Sequence, residues 1–162
     1  LRPAFAENGT ITPANSSSIS DGASALLLAS EQAVEAHGLT ARARIVAHSR
    51  NSLAPEAFTL APIGAAEEVL AKAGWTVADV DLWEINEAFA SVVLRYMQDL
   101  DLNIETTNVN GGSIAMGHPL GATGGCLVST VLDELERRNA KRAMLSLCVG
   151  GGMGISTIIE RV

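Results

Sequence analysis

Cysteine is scarce in this 162-residue chain, with only Cys126 and Cys148 present. Two cysteines cannot build a disulfide-dense scaffold, and without a CxxC pair or a Cys/His spacing they offer no zinc site. Aromatic residues make up only 4%, so the core must rest on Ala, Val, Leu and Ile. Basic residues are outnumbered, 11 Lys and Arg against 18 Asp and Glu, for a formal net charge of −7. So acidic a chain, with no basic stripe, is a poor partner for nucleic acid or anionic membranes. No run reads as a membrane span. The uncharged stretch Ala143 to Ile159 sits at the lower edge of spanning length, and the glycines at its centre form helix poorly. The dinucleotide pattern GxGxxG, the phosphate loop GxxxxGK and the zinc-protease HExxH are all missing. Gly111-Gly112-Ser113-Ile114-Ala115 falls one glycine short of a nucleophile elbow. The chain opens on Leu1 with neither an initiator Met nor a signal-peptide core. The expectation is therefore a fragment of a longer, cytoplasmic polypeptide.

What is present is an alternation of strand-like and helix-like segments, which argues for an α/β layered fold. Residues 1–19 are rich in Pro, Ser, Asn and Thr and read as irregular. Ser20-Asp21 can cap a helix running to about His37, with Gly38 as terminator. Ala43 to Ala47 is a short strand candidate. Pro62 to Ala73 places Ile63, Ala66, Val69, Leu70 and Ala73 on one helical face. Val80 to Ile85 reads as a strand. Asn86 then caps a helix burying Phe89, Val92, Val93, Tyr96, Met97 and Leu100, with Glu87 in its first turn. A glycine-rich connection from Asn110 to Gly121 leads into a helix ending near Arg138. Ala143 to Leu147 and Ile155 to Ile159 are strands joined by a turn at Gly150–Gly152, which implies an antiparallel edge. Cys126 reads as helix packing, and His37 as a C-terminal cap.

Three polar residues share one setting. Asn86 follows a strand, His118 sits in the loop before a helix, and Cys148 ends a strand before the glycine turn. In open α/β sheets, ligands bind at the carboxyl ends of strands, so the three are expected to converge there. Pro119 and the flanking glycines hold His118 out of helix, where its imidazole suits a general base or a hydrogen-bond donor. The successive backbone N–H groups after Cys148 can form a nest for an oxyanion beside a thiol. Each feature also has a plainer explanation: a solvated loop His, a buried Cys that merely packs, a glycine hairpin, an Asn that only caps.

Together, these segments resemble the C-terminal part of a thiolase. The matching stretches are Asn86-Glu87-Ala88-Phe89-Ala90, then Asn108-Val109-Asn110-Gly111-Gly112 through Gly117-His118-Pro119-Leu120-Gly121-Ala122-Thr123-Gly124, then Cys148-Val149-Gly150-Gly151-Gly152-Met153-Gly154. A further match lies at Asn15 to Ala23. The resemblance implies a thiolase-like layered sandwich, with a mixed β-sheet flanked by helices. Residues 1–40 would close the N-terminal domain and residues 41–162 would form the C-terminal domain. It also implies reversible Claisen condensation and thiolytic cleavage of a 3-oxoacyl-CoA such as acetoacetyl-CoA. Coenzyme A thioesters would be substrates, with no permanently bound cofactor. On the family's pattern His118 activates a nucleophilic cysteine and helps form one oxyanion hole. Cys148 moves the α-proton of the second acyl-CoA. Asn86 positions a water in the first oxyanion hole, the N–H of Gly150 matches a donor of the second, and Ser17 contacts the pantetheine arm.

The family's nucleophilic cysteine matches neither Cys126 nor Cys148, so the chain alone is expected to be inactive. Cys126 stands where relatives often carry Arg, and Ser18 where many have Gly. Expected partners are an acyl-CoA, the N-terminal half of the enzyme and further copies in a dimer or tetramer. Two other readings stay open. One is a Cys/His/Asn hydrolase with Cys148 as nucleophile, His118 as base and Asn86 as orienter. The other is a non-catalytic partner subunit of a heteromeric thiolase.

Overall fold

The computed structural model describes residues 1–162. Its centre is a four-stranded mixed sheet built from β1 (Ala43–Ser52), β2 (Leu82–Ile85), β3 (Arg142–Val149) and β4 (Met153–Arg161), in the order β1-β4-β3-β2. The short glycine turn after β3 makes β3 and β4 antiparallel. The long passage from β2 to β3 contains a crossover helix, so these two strands run parallel. The antiparallel pair is as the sequence implies, but β4 is not an edge. The chain's first strand, β1, pairs along its outer side.

Helices cover the two faces unequally. On one face, α2 (Ala61–Ala73) and α3 (Ala90–Leu100) bury Val69, Leu70, Val93 and Tyr96 against Trp83, Ile85, Met144 and Ile158. Trp83 and Tyr96 meet edge to face, with centroids 6.2 Å apart. The Tyr96 hydroxyl lies 2.8 Å from Ser146 Oγ, and Ser146 Oγ lies 2.7 Å from Ser156 Oγ. Three hydroxyls thus satisfy one another inside the core. On the other face, α5 (Thr123–Arg138) packs Leu127, Val131 and Leu135 onto Leu82, Leu145 and Ile159. That helix covers β2, β3 and only the C-terminal end of β4. Ile45, Val149, Met153 and Ile155 stay exposed where β1 and β4 lie open.

Two of the expected helix starts are displaced, each for a visible reason. The first helix, α1, spans Glu31–His37 and is capped by Ser30, whose Oγ accepts from Ala33 N–H; Gly38 closes it in the left-handed conformation. Residues 16–29 form no helix. Instead they run as a strap along the His118 loop. Ser18 O accepts from His118 N–H at 2.9 Å, and Ser24 Oγ donates to Ala122 O at 2.9 Å. The strap lies so close that a Cβ on Gly117 would collide with Ser20, and one on Gly22 with Pro119. The third helix starts at Ala90 rather than Asn86, with Phe89 as its N-cap. Asn86 remains part of the sheet, its N–H donating to Ser146 O at 2.9 Å. Cys126 is exposed on α5 and is not packing.

The glycine turn mixes obligatory and dispensable positions. Gly152 adopts φ 100°, and a Cβ on Gly154 would strike the backbone of Ala61 and Pro62 where α2 begins. Gly150 has an ordinary φ, and a Cβ there would meet nothing within 4 Å. Gly154→Ala should therefore cost ~1–3 kcal/mol or more through overpacking, while Gly150→Ala leaves stability unchanged. Urea denaturation of both variants checks this. Equal midpoints would refute the distinction.

Candidate active site

The sheet delivers two of the expected residues to one point. Strand alternation puts Asn86 on the α5 face, following Leu82 and Glu84. There its side chain is only 1% exposed. Ser113, at the start of the short helix α4 (Ser113–Met116), donates its hydroxyl to Asn86 Oδ1 at 2.6 Å. That contact turns the amide so that Nδ2 faces His118 Nε2, 3.3 Å away. On the other side of the ring, His118 Nδ1 lies 2.7 Å from Thr123 Oγ1, which is also 3.1 Å from Pro119 O. A single assignment satisfies the chain of contacts. Thr123 donates to the Pro119 carbonyl and accepts from Nδ1–H, and Nε2 accepts from Asn86. Burial lowers the His118 pKa below its ordinary value. The result is a neutral imidazole with Nε2 unprotonated, a form suited to taking a proton.

Side chains behind these residues hold the loop. Glu87 is not in a first helical turn. Its carboxylate accepts from Asn108 Nδ2 at 3.1 Å and from Ile114 N–H at 3.1 Å, tying the glycine-rich loop to the end of β2. Asn108, in the left-handed region at φ 46°, mimics a strand neighbour of Ile85, bonding its N–H and its carbonyl with one side-chain amide. Ser17 N–H and Oγ both donate to Ala88 O, which places the strap beside the same segment.

Cys148 and Gly150 reach the same rim by another route. Cys148 is half-buried at the end of β3, and strand alternation puts it on the face of Met144 and Ser146, opposite to Asn86. Burial raises the thiol pKa, so its resting form is protonated. No hydrogen bond joins Cys148 to His118 or Asn86. The geometry therefore unites Asn86 and His118 directly, with Ser17 alongside. It sets Cys148 and Gly150 on the neighbouring strand end.

Sequence reasoning passed over Ser113, Thr123 and Glu84. For the first two, only the loop's path shows that they flank the pair. Glu84 did leave a signal, an acid inside the apolar run Leu82-Trp83-Glu84-Ile85. It is 2% exposed, and burial, with the charges of Glu87 and Glu134 nearby, pushes its pKa up to about 8.

Two measurements check these assignments. Nitrogen-15 shifts of His118 near neutral pH should show a protonated Nδ1 and a bare Nε2, with Thr123→Val giving a tautomer mixture; a protonated Nε2 in the unaltered chain would refute the network. For Glu84, the folded state keeps a proton that the unfolded chain releases from an ordinary pKa of 4.5. Its contribution is thus fully favourable below 4.5 and is lost as pH rises through about 8. Glu84→Gln should remove that loss, on the order of a few kcal/mol at alkaline pH. Parallel stability–pH curves for the two proteins would contradict it.

Comparison with known proteins agrees with the geometry. The thiolase C-terminal domain model matches residues 39–161, and the thiolase N-terminal domain model matches residues 1–32. An acetyl-CoA acetyltransferase from Chromobacterium violaceum is 46% identical over 161 residues, covering 99% of this chain and 41% of that protein. The human mitochondrial 3-ketoacyl-CoA thiolase is 46% identical over 160 residues, covering 99% and 40%. Among solved structures, the acetyl-CoA acetyltransferase of Bacillus anthracis superposes with a TM-score of 0.96 at 41% identity, over the whole chain and 41% of its own. The human mitochondrial 3-ketoacyl-CoA thiolase in complex with CoA superposes with a TM-score of 0.91 at 40% identity, over the whole chain and 41% of its own. The chain thus spans about two-fifths of the length of these relatives. This chain belongs to the thiolase family.

Proposed function

We propose that the chain provides the acid–base and oxyanion-binding part of a thiolase, acting on acyl-CoA thioesters. The reaction is the condensation of two acyl-CoA molecules and its reverse, the thiolytic cleavage of a 3-oxoacyl-CoA such as acetoacetyl-CoA. One observation carries this reading: the neutral His118 ring, its Nε2 bare and 3.3 Å from the buried Asn86 amide. A bare Nε2 takes the proton of a nucleophilic thiol, and as imidazolium then donates to a developing thioester oxyanion. Asn86 keeps that nitrogen in register and holds the water that shares the oxyanion.

Cys148 performs the second proton transfer. In cleavage, its resting thiol gives a proton to the carbanion released when the C–C bond breaks. In condensation, the CoA thiolate released on acylation takes the Cys148 proton; the Cys148 thiolate so formed takes the α-proton, the enolate carbon attacks the acyl-enzyme carbonyl, and the enzyme cysteine leaves as a thiolate that the His118 imidazolium reprotonates. A thiol with a raised pKa is the stronger base once ionised. The N–H of Gly150 donates to the second oxyanion, beside open space that a side chain would fill. Ser17, on the strap, meets the pantetheine arm.

The acylated cysteine comes from outside residues 1–162, so these residues alone show no turnover. Cys126 is exposed on α5, and Cys148 leaves the sheet on the face opposite Asn86, with no hydrogen bond to His118. That pattern speaks against a self-contained hydrolase with Cys148 as nucleophile. The boundary between the halves falls near residue 40. The open face around Ile45, Met153 and Ile155 is where the rest of the enzyme packs, in a dimer or tetramer. Two free thiols suit a reducing compartment such as the cytoplasm, and no helix is long and apolar enough to cross a membrane.

The test uses the complete enzyme that contains these residues. His118→Ala should abolish its acylation by acetyl-CoA, a loss of at least 10²-fold for one general base. Cys148→Ala should leave acylation intact and stop carbon–carbon bond formation. Mass spectrometry of the acyl-enzyme and an acetoacetyl-CoA cleavage assay separate the half-reactions. Equal loss of both in Cys148→Ala sinks the assignment.

A further inference from the structure

Glu84 has no part in the chemistry above, yet its position is costly. The residue is 2% exposed, and only desolvation and the neighbouring acids act on its carboxyl, with no hydrogen bond or ion pair to relieve it. The nearby acids offer no counter-charge. Glu87 is occupied by Asn108 and Ile114 N–H, and Glu134 by Arg137, Arg138 and Asn110. The Glu84 carboxylate borders a cavity of about 170 Å³ between β2, the loop at Gly112–Pro119 and α5. Thr123, Leu127 and Thr130 line its helical wall, and the exposed Cys126 is part of the same wall.

The space equals several waters at ~30 Å³ each and is smaller than the ~300 Å³ at which drug-sized sites begin. Its occupant is therefore a head group or a small ion, and the uncompensated carboxylate selects a cation. A hard metal ion is a poor fit. It wants six or more oxygen ligands, whereas the hydroxyls of Ser113 and Thr123 are committed to Asn86, His118 and Pro119. No group of three acidic, His or Cys side chains converges here. An ammonium is strongly hydrated and would lose that water against Leu127 and Met116. A guanidinium is planar, weakly hydrated and forked to match a carboxylate.

We infer that the cavity between Glu84 and α5 is a binding site for a guanidinium group, held bidentately by the Glu84 carboxylate with the Thr130 hydroxyl at its edge. The site adjoins the His118 loop but does not depend on the acyl-transfer reading. Nothing in it uses Cys148 or the glycine turn.

The experiment is thermal unfolding of the 162-residue chain at alkaline pH, where Glu84 ionises. Methylguanidinium chloride is titrated at low-millimolar concentration against equal potassium chloride. The expected result is a saturable rise in Tm of a few degrees, absent with potassium. Glu84→Gln should abolish it. Cys126→Arg should raise the Tm by itself and abolish further response, because the guanidinium is then supplied from α5. This second variant carries the test if Glu84→Gln folds poorly. N-acetyl-argininamide separates the sources. A response to it equal to that of methylguanidinium assigns the pocket to an arginyl side chain, and no response assigns it to a free small molecule. A Tm that follows ionic strength alone, or a response that survives Glu84→Gln, overturns the inference.

Discussion

Asn86 is buried with an amide that must be satisfied at both ends, and the rim of the sheet is organised around that requirement. Its backbone N–H closes the β2/β3 ladder on Ser146, its carbonyl takes the Ser113 hydroxyl, and its NH₂ faces His118. A buried amide left half-satisfied costs about 1–3 kcal/mol, so the loop carrying Ser113 and His118 has one low-energy placement. The reactive ring is then positioned by the same hydrogen bonds that end the strand. Glu87 and Asn108 add to this by tying the loop to the backbone of Ile85 and Ile114. The site's geometry is a consequence of how the sheet terminates.

Much of this fold is legible in the residues because its periodicities are local. The apolar face of Ile63, Ala66, Val69 and Leu70 announces α2, and Gly74 ends it in the left-handed conformation. The glycine turn between β3 and β4 lies where the run Gly150–Gly152 puts it. The failures are instructive because each is tertiary. Ser20-Asp21 is a good capping pair, but Ser18 O before it and Ser24 Oγ after it are bonded to the His118 loop, far away in sequence. Asn86 has cap chemistry too, yet the sheet and Ser113 claim it first. Local propensity is worth a few tenths of a kcal/mol to about one. A buried polar network outweighs it.

The candidate site was legible in part for the same reason. Asn86, His118 and Cys148 stand out as polar residues at element ends. The contacts that orient them come from Ser113 and Thr123, ordinary hydroxyl residues whose positions mean nothing until the loop is closed. The order of segments also hides which face each residue takes. Asn86 and Cys148 end adjacent parallel strands, but their strand positions differ in parity, so they leave the sheet on opposite sides.

Burial acts on the ionisable groups of this chain in two ways, and partners decide which prevails. Glu134 and Glu160 are nearly as inaccessible as Glu84, yet arginines at their carboxylates hold both below the usual carboxylate range. Glu84 lacks such a partner and is pushed the other way. The same rule governs His118 and Cys148, where desolvation favours the uncharged imidazole and the uncharged thiol. His118 and Cys148 therefore rest uncharged near neutral pH, and each proton transfer proposed above would create charge next to a donor that is already in place. An environment that penalises charge at rest and supplies fixed dipoles where it develops favours a transition state over its ground state. The desolvation that makes these groups poor ions at rest is thus what makes them effective proton carriers.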